Sequence, residues 1–161
     1  MIRNRGSNEF EKTEFITFAQ TALGEMISGV GSVAILVHDA KISAEWYRDK
    51  LGFEIIENQG HSVYVKPLGS QTLLIHLCGK CHAWEKDQPG GRTGIWFQCG
   101  DRVMFRLEKG QIIPCSKPEN VENTYFELKE NGVEFVEDLA ATNWGVQAIF
   151  RDPDGNEFEI S

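Results

Sequence analysis

The sequence predicts an α+β protein built from two βαβββ modules, preceded by a helix. Two observations lead to this class. Leu51-Gly52-Phe53-Glu54-Ile55 matches Asn131-Gly132-Val133-Glu134-Phe135, which lies 80 residues later, and Ile75-His76-Leu77 matches Phe158-Glu159-Ile160, which lies 83 residues later. Because the end of the helix, the second strand and the last strand stay in phase, we interpret the pattern as an internal repeat.

Composition limits the classes of protein that need to be considered. The chain has 161 residues, of which 41% are hydrophobic and 25% charged, which is typical of one soluble domain. Sixteen Lys and Arg against 24 Asp and Glu give a net charge of −8, which opposes nucleic-acid binding. The longest apolar runs, such as 33–37, are too short to cross a membrane. We expect neither nucleic acid nor a membrane as partner.

The cellular location is predicted from the N-terminus and the cysteines. No apolar segment of a secretory signal follows Met1, and glutamates occur at positions 9, 11 and 14. Four cysteines are too few for a disulfide scaffold in a chain of this length. These features predict a cytoplasmic protein with reduced thiols.

Residues 1–30 form a predicted helical extension. Apolar side chains recur at helical spacing over residues 9–27, namely Phe15, Phe18, Ala19, Ala22, Leu23, Met26 and Ile27. Glycines at positions 29 and 31 would end this helix. Its expected role is to cover one face or edge of the main fold.

The first module is predicted over residues 31–77. A strand at 32–38 precedes a helix that Asp39 caps and that runs to Lys50, with Gly52 as its C-terminal stop. Its inner face is predicted to carry Ile42, Trp46 and Tyr47. Three further strands follow at 53–56, 61–66 and 72–77.

The second module is predicted over residues 93–161, after a linker at 78–92. Its elements are a strand at 93–99, a helix at 118–131, and strands at 133–136, 146–150 and 157–160. A gap-free repeat would instead place the first strand at 111–115, but Pro114 is a poor residue for a central strand. Residues 100–117 then form an insertion, with a hairpin predicted at Val103-Met104-Phe105.

The Asp152-Pro153-Asp154-Gly155-Asn156 run has the composition of a tight turn between two strands. Proline presets the turn, glycine accepts positive φ, and aspartate side chains bond nearby amides. We therefore interpret this run as a turn and not as a metal site.

Together, several motifs resemble the vicinal oxygen chelate superfamily, which includes glyoxalase I, extradiol dioxygenases and bleomycin-resistance proteins. They are Asp39, Trp46-Tyr47-Arg48-Asp49-Lys50-Leu51-Gly52-Phe53, Trp144-Gly145, and Phe150-Arg151 followed by the turn at 152–156. The resemblance covers residues 31–161. It implies that the modules form a curved mixed sheet around a shared cup, and that the chain is a homodimer.

The same resemblance implies four positions for metal ligands in the metal-dependent members. Here these positions hold Ser32, His76, Gly94 and Glu159. His76 and Glu159 suit a divalent Zn, Ni, Fe or Mn ion, whereas Ser32 and Gly94 do not. Catalytic sites usually keep three protein ligands, and Glu157 lies about 7 Å along the strand from Glu159. We therefore expect no complete metal site and no cofactor; a bound divalent metal is the alternative.

Strand alternation directs several side chains toward the cup. The predicted ligand-binding residues are Trp96, Gln98, Leu74, Tyr64, His76 and Glu157. Apolar and aromatic side chains with a few polar groups are typical of a small-molecule pocket. Trp96 could stack on a planar or cationic ligand near Glu159, or it could be an ordinary core residue.

The motif Cys78-Gly79-Lys80-Cys81-His82 matches the pattern of c-type haem attachment. Haem attachment needs export, for which the N-terminus gives no signal. With His76 added, zinc is a second interpretation, although the spacing is closer than in zinc fingers. We favour a loop with two thiols.

Three functions follow as hypotheses. The first is binding of a small organic molecule in the cup, without a complete metal site. The second is a metal-dependent lyase or dioxygenase resembling glyoxalase I, in which Glu159 is a ligand and a catalytic base. The third is a structural or regulatory dimer without a ligand.

Overall fold

The computed structural model describes residues 30–70, 74–79, 87–106, 110 and 112–161. The predicted helix at 9–27 and the pair Cys81-His82 lie outside these residues. The first module consists of β1 (Ser32–Leu36), α1 (Ala40–Leu51), β2 (Phe53–Asn58), β3 (Ser62–Pro67) and β4 (Leu74–Cys78). The predicted βαβββ order of this module is confirmed.

The second module repeats this order around an inserted pair of strands. Its elements are β5 (Gly91–Phe97), β6 (Arg102–Arg106), β7 (Ile112–Ser116), α2 (Pro118–Glu130), β8 (Glu134–Thr142), β9 (Gly145–Arg151) and β10 (Asn156–Ile160). Strand β7 contains the segment that a gap-free repeat would use as the first strand. It pairs with β6, forming the hairpin predicted in the insertion, while β5 joins the main sheet of the module.

Each module contains one mixed four-stranded sheet. The strand orders are β1-β4-β3-β2 and β5-β10-β9-β8, so the two sheets have the same topology. In each sheet the first strand pairs in parallel with the last, and the other pairs are antiparallel. This places His76 on β4 and Glu159 on β10 at equivalent central positions.

Helix α1 begins and ends as its sequence predicts. The Asp39 carboxylate accepts hydrogen bonds from the amides of Lys41 and Ile42, and Gly52 ends the helix at φ 69°. The predicted inner face is partly wrong, because the Ile42 side chain is 63% exposed. The helix instead buries Ala40, Ser43, Ala44 and Tyr47. None of the helices in the described residues is long and apolar enough to span a membrane.

One hydrophobic core joins the two modules. It combines residues of α1, α2 and the helix-facing sides of both sheets, including Tyr47, Phe53, Val121, Phe150 and Phe158. The Tyr47 ring contacts Phe158 of the second module edge-on, with 6.1 Å between ring centroids. The helix-facing sides of the two sheets are therefore buried in one core. Among the described residues, the opposite sides of the sheets do not contribute to this core.

The turn between β9 and β10 also ties the modules together. The buried Asp152 accepts a hydrogen bond from the Tyr47 hydroxyl at 2.9 Å, and Asn156 donates to Asp152 at 2.8 Å and to the Leu36 carbonyl at 2.9 Å. Burial raises the pKa of Asp152, and that of Tyr47 rises well above its usual value because of burial and the nearby carboxylate.

A second contact joins the C-terminal ends of α1 and α2. The Lys50 ammonium donates to the Asn131 carbonyl at 2.6 Å, and the Asn131 amide donates to the Lys50 carbonyl at 3.2 Å. These two residues occupy nearly corresponding positions in the repeat. The contact is thus almost symmetric between the modules.

Candidate functional site: the cup of the second sheet

The side of the second sheet that faces away from the helices carries a cavity of about 550 Å³. We call this cavity the cup. Its lining includes Trp96, Trp144, Val146, Gln147, Glu157 and Glu159. The volume and the mixture of aromatic, apolar and polar side chains suit a small organic ligand.

An irregularity in β5 positions Trp96 in the cup. Glu157 pairs with Arg92 and Glu159 pairs with Trp96, so three residues of β5 lie opposite one residue of β10. Gly94 takes a φ of 72° within this bulge. The Thr93 hydroxyl donates to the Glu157 carbonyl and accepts from the Ile95 amide. The bulge sets the Trp96 side chain, which is 63% exposed, beside Glu159.

A row of alternating charges crosses the sheet at one edge of the cup. Arg92 on β5, Glu157 on β10, Arg151 on β9 and Glu134 on β8 follow one another across the four strands. The Arg92–Glu157, Arg151–Glu157 and Arg151–Glu134 pairs measure 3.2, 3.5 and 3.4 Å between nitrogen and oxygen. Arg92 also pairs with Glu137. Both carboxylate oxygens of Glu157 are thus balanced by guanidinium groups.

Glu159 lies in the neighbouring row, which consists of Trp96 on β5, Glu159 on β10, Ile149 on β9 and Glu137 on β8. Its partners in adjacent strands are Trp96 and Ile149. Within the described part of the chain, its carboxylate has no hydrogen-bond or ion-pair partner. The cup therefore presents one half-buried carboxylate between an exposed indole and a buried aliphatic side chain.

The corresponding side of the first sheet carries His76 and Tyr64. Their rings stack with centroids 4.6 Å apart, and the Nε2 atom of His76 is hydrogen-bonded to the Ser62 hydroxyl. Burial lowers the pKa of His76, and the charge of His61 lowers it further. The ring is therefore held in place by its own sheet.

These residues do not fit a catalytic divalent metal. The register places Ala34, not Ser32, beside His76, and Trp96, not Gly94, beside Glu159. No group of three His, Cys, Asp or Glu side chains that could hold a metal occurs among the residues the structure describes. Because Glu157 is held by arginines, the donor set falls short of the three protein ligands that such a site needs.

The structure distributes the predicted site residues over three places. Trp96, Glu157 and Glu159 line the cup. Gln98 lines a separate groove between the modules, of about 820 Å³, which Trp96 also reaches. Leu74, Tyr64 and His76 belong to the first sheet and line neither cavity.

Sequence reasoning missed Trp144, Val146 and Gln147 as cup residues. Trp144 was recognisable only as part of a family motif, and it is 61% exposed in the turn between β8 and β9. An exposed tryptophan next to a glycine in a hairpin turn is the signal that could have identified it. Gln147 follows from the alternation along β9, since it points away from the buried Ala148.

Comparison with known proteins assigns the family and agrees with the fold. The model of the glyoxalase/bleomycin resistance protein/dioxygenase superfamily matches residues 29–160. The chain belongs to this superfamily, which confirms the resemblance found in its motifs. Its two modules and mixed sheets are those of the glyoxalase fold.

Individual relatives cover most of the chain. The uncharacterized protein YetH of Bacillus subtilis is 28% identical over an alignment of 138 residues, and the match covers 83% of this chain and 97% of that protein. A solved superfamily member from Sphaerobacter thermophilus is 30% identical with a TM-score of 0.61, covering 84% of this chain and 97% of its own. TnmS3 from Streptomyces sp. CB03234, described as an antibiotic-binding protein, is 24% identical with a TM-score of 0.63, covering 86% and 98%.

Proposed function

We propose that this protein binds a small planar organic molecule in the cup, without metal chemistry. The observation that carries the proposal is the exposure of two tryptophans, Trp96 and Trp144, at a cavity large enough for such a molecule. Large rings left open to water carry a cost that a stacked ligand removes. The description of TnmS3 as an antibiotic-binding protein supports the proposal by analogy.

The metal-dependent lyase or dioxygenase is the weaker hypothesis. It would need ligands beside His76 and Glu159, where the strands supply Ala34 and Trp96. Neither alanine nor tryptophan coordinates a divalent ion. A cytoplasmic location and homodimer formation remain predictions from the sequence and the family resemblance.

A binding measurement with the neutral planar compound 5-nitroquinoline tests the proposal. We expect measurable binding by equilibrium dialysis, and we expect Trp96→Ala to weaken it by about five- to tenfold because the stacking surface is lost. Trp96 is largely exposed, so this change should leave the fold intact.

Trp46→Phe is the matched control, because Trp46 packs beside Tyr47 on α1, on the helix side of the sheets. Its affinity for 5-nitroquinoline should equal that of the unchanged protein. Equal weakening by both substitutions, or binding that survives Trp96→Ala unchanged, would count against the cup as the binding site. Binding that requires added divalent metal would favour the second hypothesis.

A further inference from the structure

The two glutamates of the cup are in opposite electrostatic situations. The Glu157 oxygens lie 3.2 Å from the Arg92 guanidinium and 3.5 Å from that of Arg151. Glu159 has no such partner among the described residues. A carboxylate removed from water without a partner costs free energy, so an occupied cup needs a group that satisfies Glu159.

The immediate neighbours of Glu159 also restrict which ligand group can satisfy its carboxylate. Trp96 and Ile149 flank it on β5 and β9, and neither presents a hydrogen-bonding group comparable to an arginine. Adjacent strands lie about 4.8 Å apart, so the indole of Trp96 and the carboxylate can contact one ligand at the same time. The face of an aromatic ring and a carboxylate both attract a positive charge, and at this spacing one cation can contact both.

We infer that Glu159 is the counter-ion of a positively charged group on the ligand, so that the cup selects planar aromatic cations. The inference rests on the proposed function and adds the ligand's charge to it. The π-faces of Trp96 and Trp144 attract a delocalised cation, and the carboxylate neutralises it. A counter-ion of this kind needs no further coordinating side chains.

Three probes of similar shape and different charge test the inference by isothermal titration calorimetry. They are N-methylquinolinium, quinoline and 2-naphthoate, used with chelator-treated full-length protein at mildly alkaline pH, where quinoline is neutral. We expect N-methylquinolinium to bind roughly tenfold more tightly than quinoline, because a charged contact and a cation–π contact are added. We expect 2-naphthoate to bind more weakly than quinoline, because like charges repel.

The variant Glu159→Gln separates charge from shape. It should weaken N-methylquinolinium by roughly tenfold and change quinoline by less than about twofold, since only the cation uses the carboxylate. Glu122→Gln is the charge-matched control, because Glu122 is an exposed residue of α2 outside the cup. Its affinities for both probes should equal those of the unchanged protein.

Ionic strength gives an independent readout. Raising it from about 0.01 M to about 1 M shortens the screening length from ~30 Å to ~3 Å. The affinity for N-methylquinolinium should fall and that for quinoline should not. In Glu159→Gln this difference in salt dependence should become smaller, and the remainder reflects the net negative charge of the chain.

The outcomes separate this inference from the proposed function. Equal binding of N-methylquinolinium and quinoline, unaffected by Glu159→Gln, overturns the selection of cations and leaves the planar-ligand cup standing. Tightest binding of 2-naphthoate also overturns it and assigns recognition to Arg92. Absence of binding by all three probes overturns both the inference and the proposed function.

Discussion

Glu157 and Glu159 are two residues apart on β10 and face the same side of the sheet. Strand alternation predicts this shared orientation. It could not predict that Glu157 is held by Arg92 and Arg151, because these arginines come from β5 and β9 and meet Glu157 only through the register. The sequence thus indicated that the two carboxylates share one face of β10, but not which one remains available to a ligand.

His76 is a second residue whose position was predicted but whose contacts were not. Its equivalence to Glu159 was predicted from the repeat, whereas its contacts with Ser62 and Tyr64 depend on how β3 pairs with β4. These contacts lie within the first sheet, and none of the three residues lines the cup. The sequence predicted the position of His76 in the repeat. Its contacts with Ser62 and Tyr64 were set by the pairing of β3 with β4.

The burial of His76 predicts a pH dependence of stability. Its pKa is lowered from an ordinary value of 6.5, so as the pH falls through that value the unfolded chain takes up a proton more readily than the folded one. The free energy of unfolding should therefore decrease on acidification. His76→Gln should flatten the fall of Tm on going from about pH 8 to about pH 5, measured by thermal denaturation.

Ser62→Ala provides the comparison for this experiment. It removes the hydrogen bond to His76 and keeps the half-buried titrating ring, so its Tm should still fall with acidification. If His76→Gln and the unchanged protein lose Tm equally, the burial of His76 does not govern the effect.

At the scale of elements, β5 is displaced from its predicted position, and β8, expected at residues 133–136, extends over Glu134–Thr142. Strand β5 was expected at residues 93–99 and lies at Gly91–Phe97, and its bulge changes which residue faces Glu159. Alternation predicts that Trp96 faces the cup, but it assumes an uninterrupted strand and would therefore pair Glu159 with Gly94 and not with Trp96. The two ends of helix α1 were predicted well because its caps, Asp39 and Gly52, are local signals.

The bulge gives a prediction for Gly94. Its φ of 72° is strained for any residue with a Cβ, although no atom lies within 4 Å of the position where that Cβ would be. Gly94→Ala should therefore lower the free energy of unfolding by about 1 kcal/mol through backbone strain alone. It should also weaken 5-nitroquinoline binding, because Trp96 shifts; urea denaturation and equilibrium dialysis measure the two effects.

Gly31→Ala is the control, since Gly31 is likewise surrounded by open space and has no positive φ. It should change the free energy of unfolding by only about 0.5 kcal/mol or less. If the two substitutions have equal effects, the conformation of Gly94 is not what supports the bulge.

For the whole molecule, the internal repeat predicted the architecture. The two βαβββ modules and their equivalent strands follow from matched local segments. The contacts that join the modules could not be predicted from the repeat. Tyr47 and Asp152 are 105 residues apart, and their hydrogen bond exists only after folding. The run at 152–156 was rightly interpreted as a turn, and its side chains additionally tie the modules together.

The cup likewise forms only when the second sheet is assembled. It is lined by the turn at Trp144, the bulge in β5 and the glutamates of β10, which are far apart in the sequence. Burying the helix-facing sides of both sheets in one core leaves this opposite side open. The net charge of −8 says little about ligand choice, since Glu159 is the carboxylate that the ion pairs of the cup leave available.

The most direct test of the account is to observe the indole N–H signals of the four tryptophans by ¹H–¹⁵N NMR during a quinoline titration of chelator-treated protein. Single Trp→Phe variants assign the signals. The account predicts that the Trp96 and Trp144 signals shift together and saturably, while the Trp46 signal stays in place. A titration that leaves Trp96 and Trp144 unmoved, or that moves them only after divalent metal is added, would contradict it.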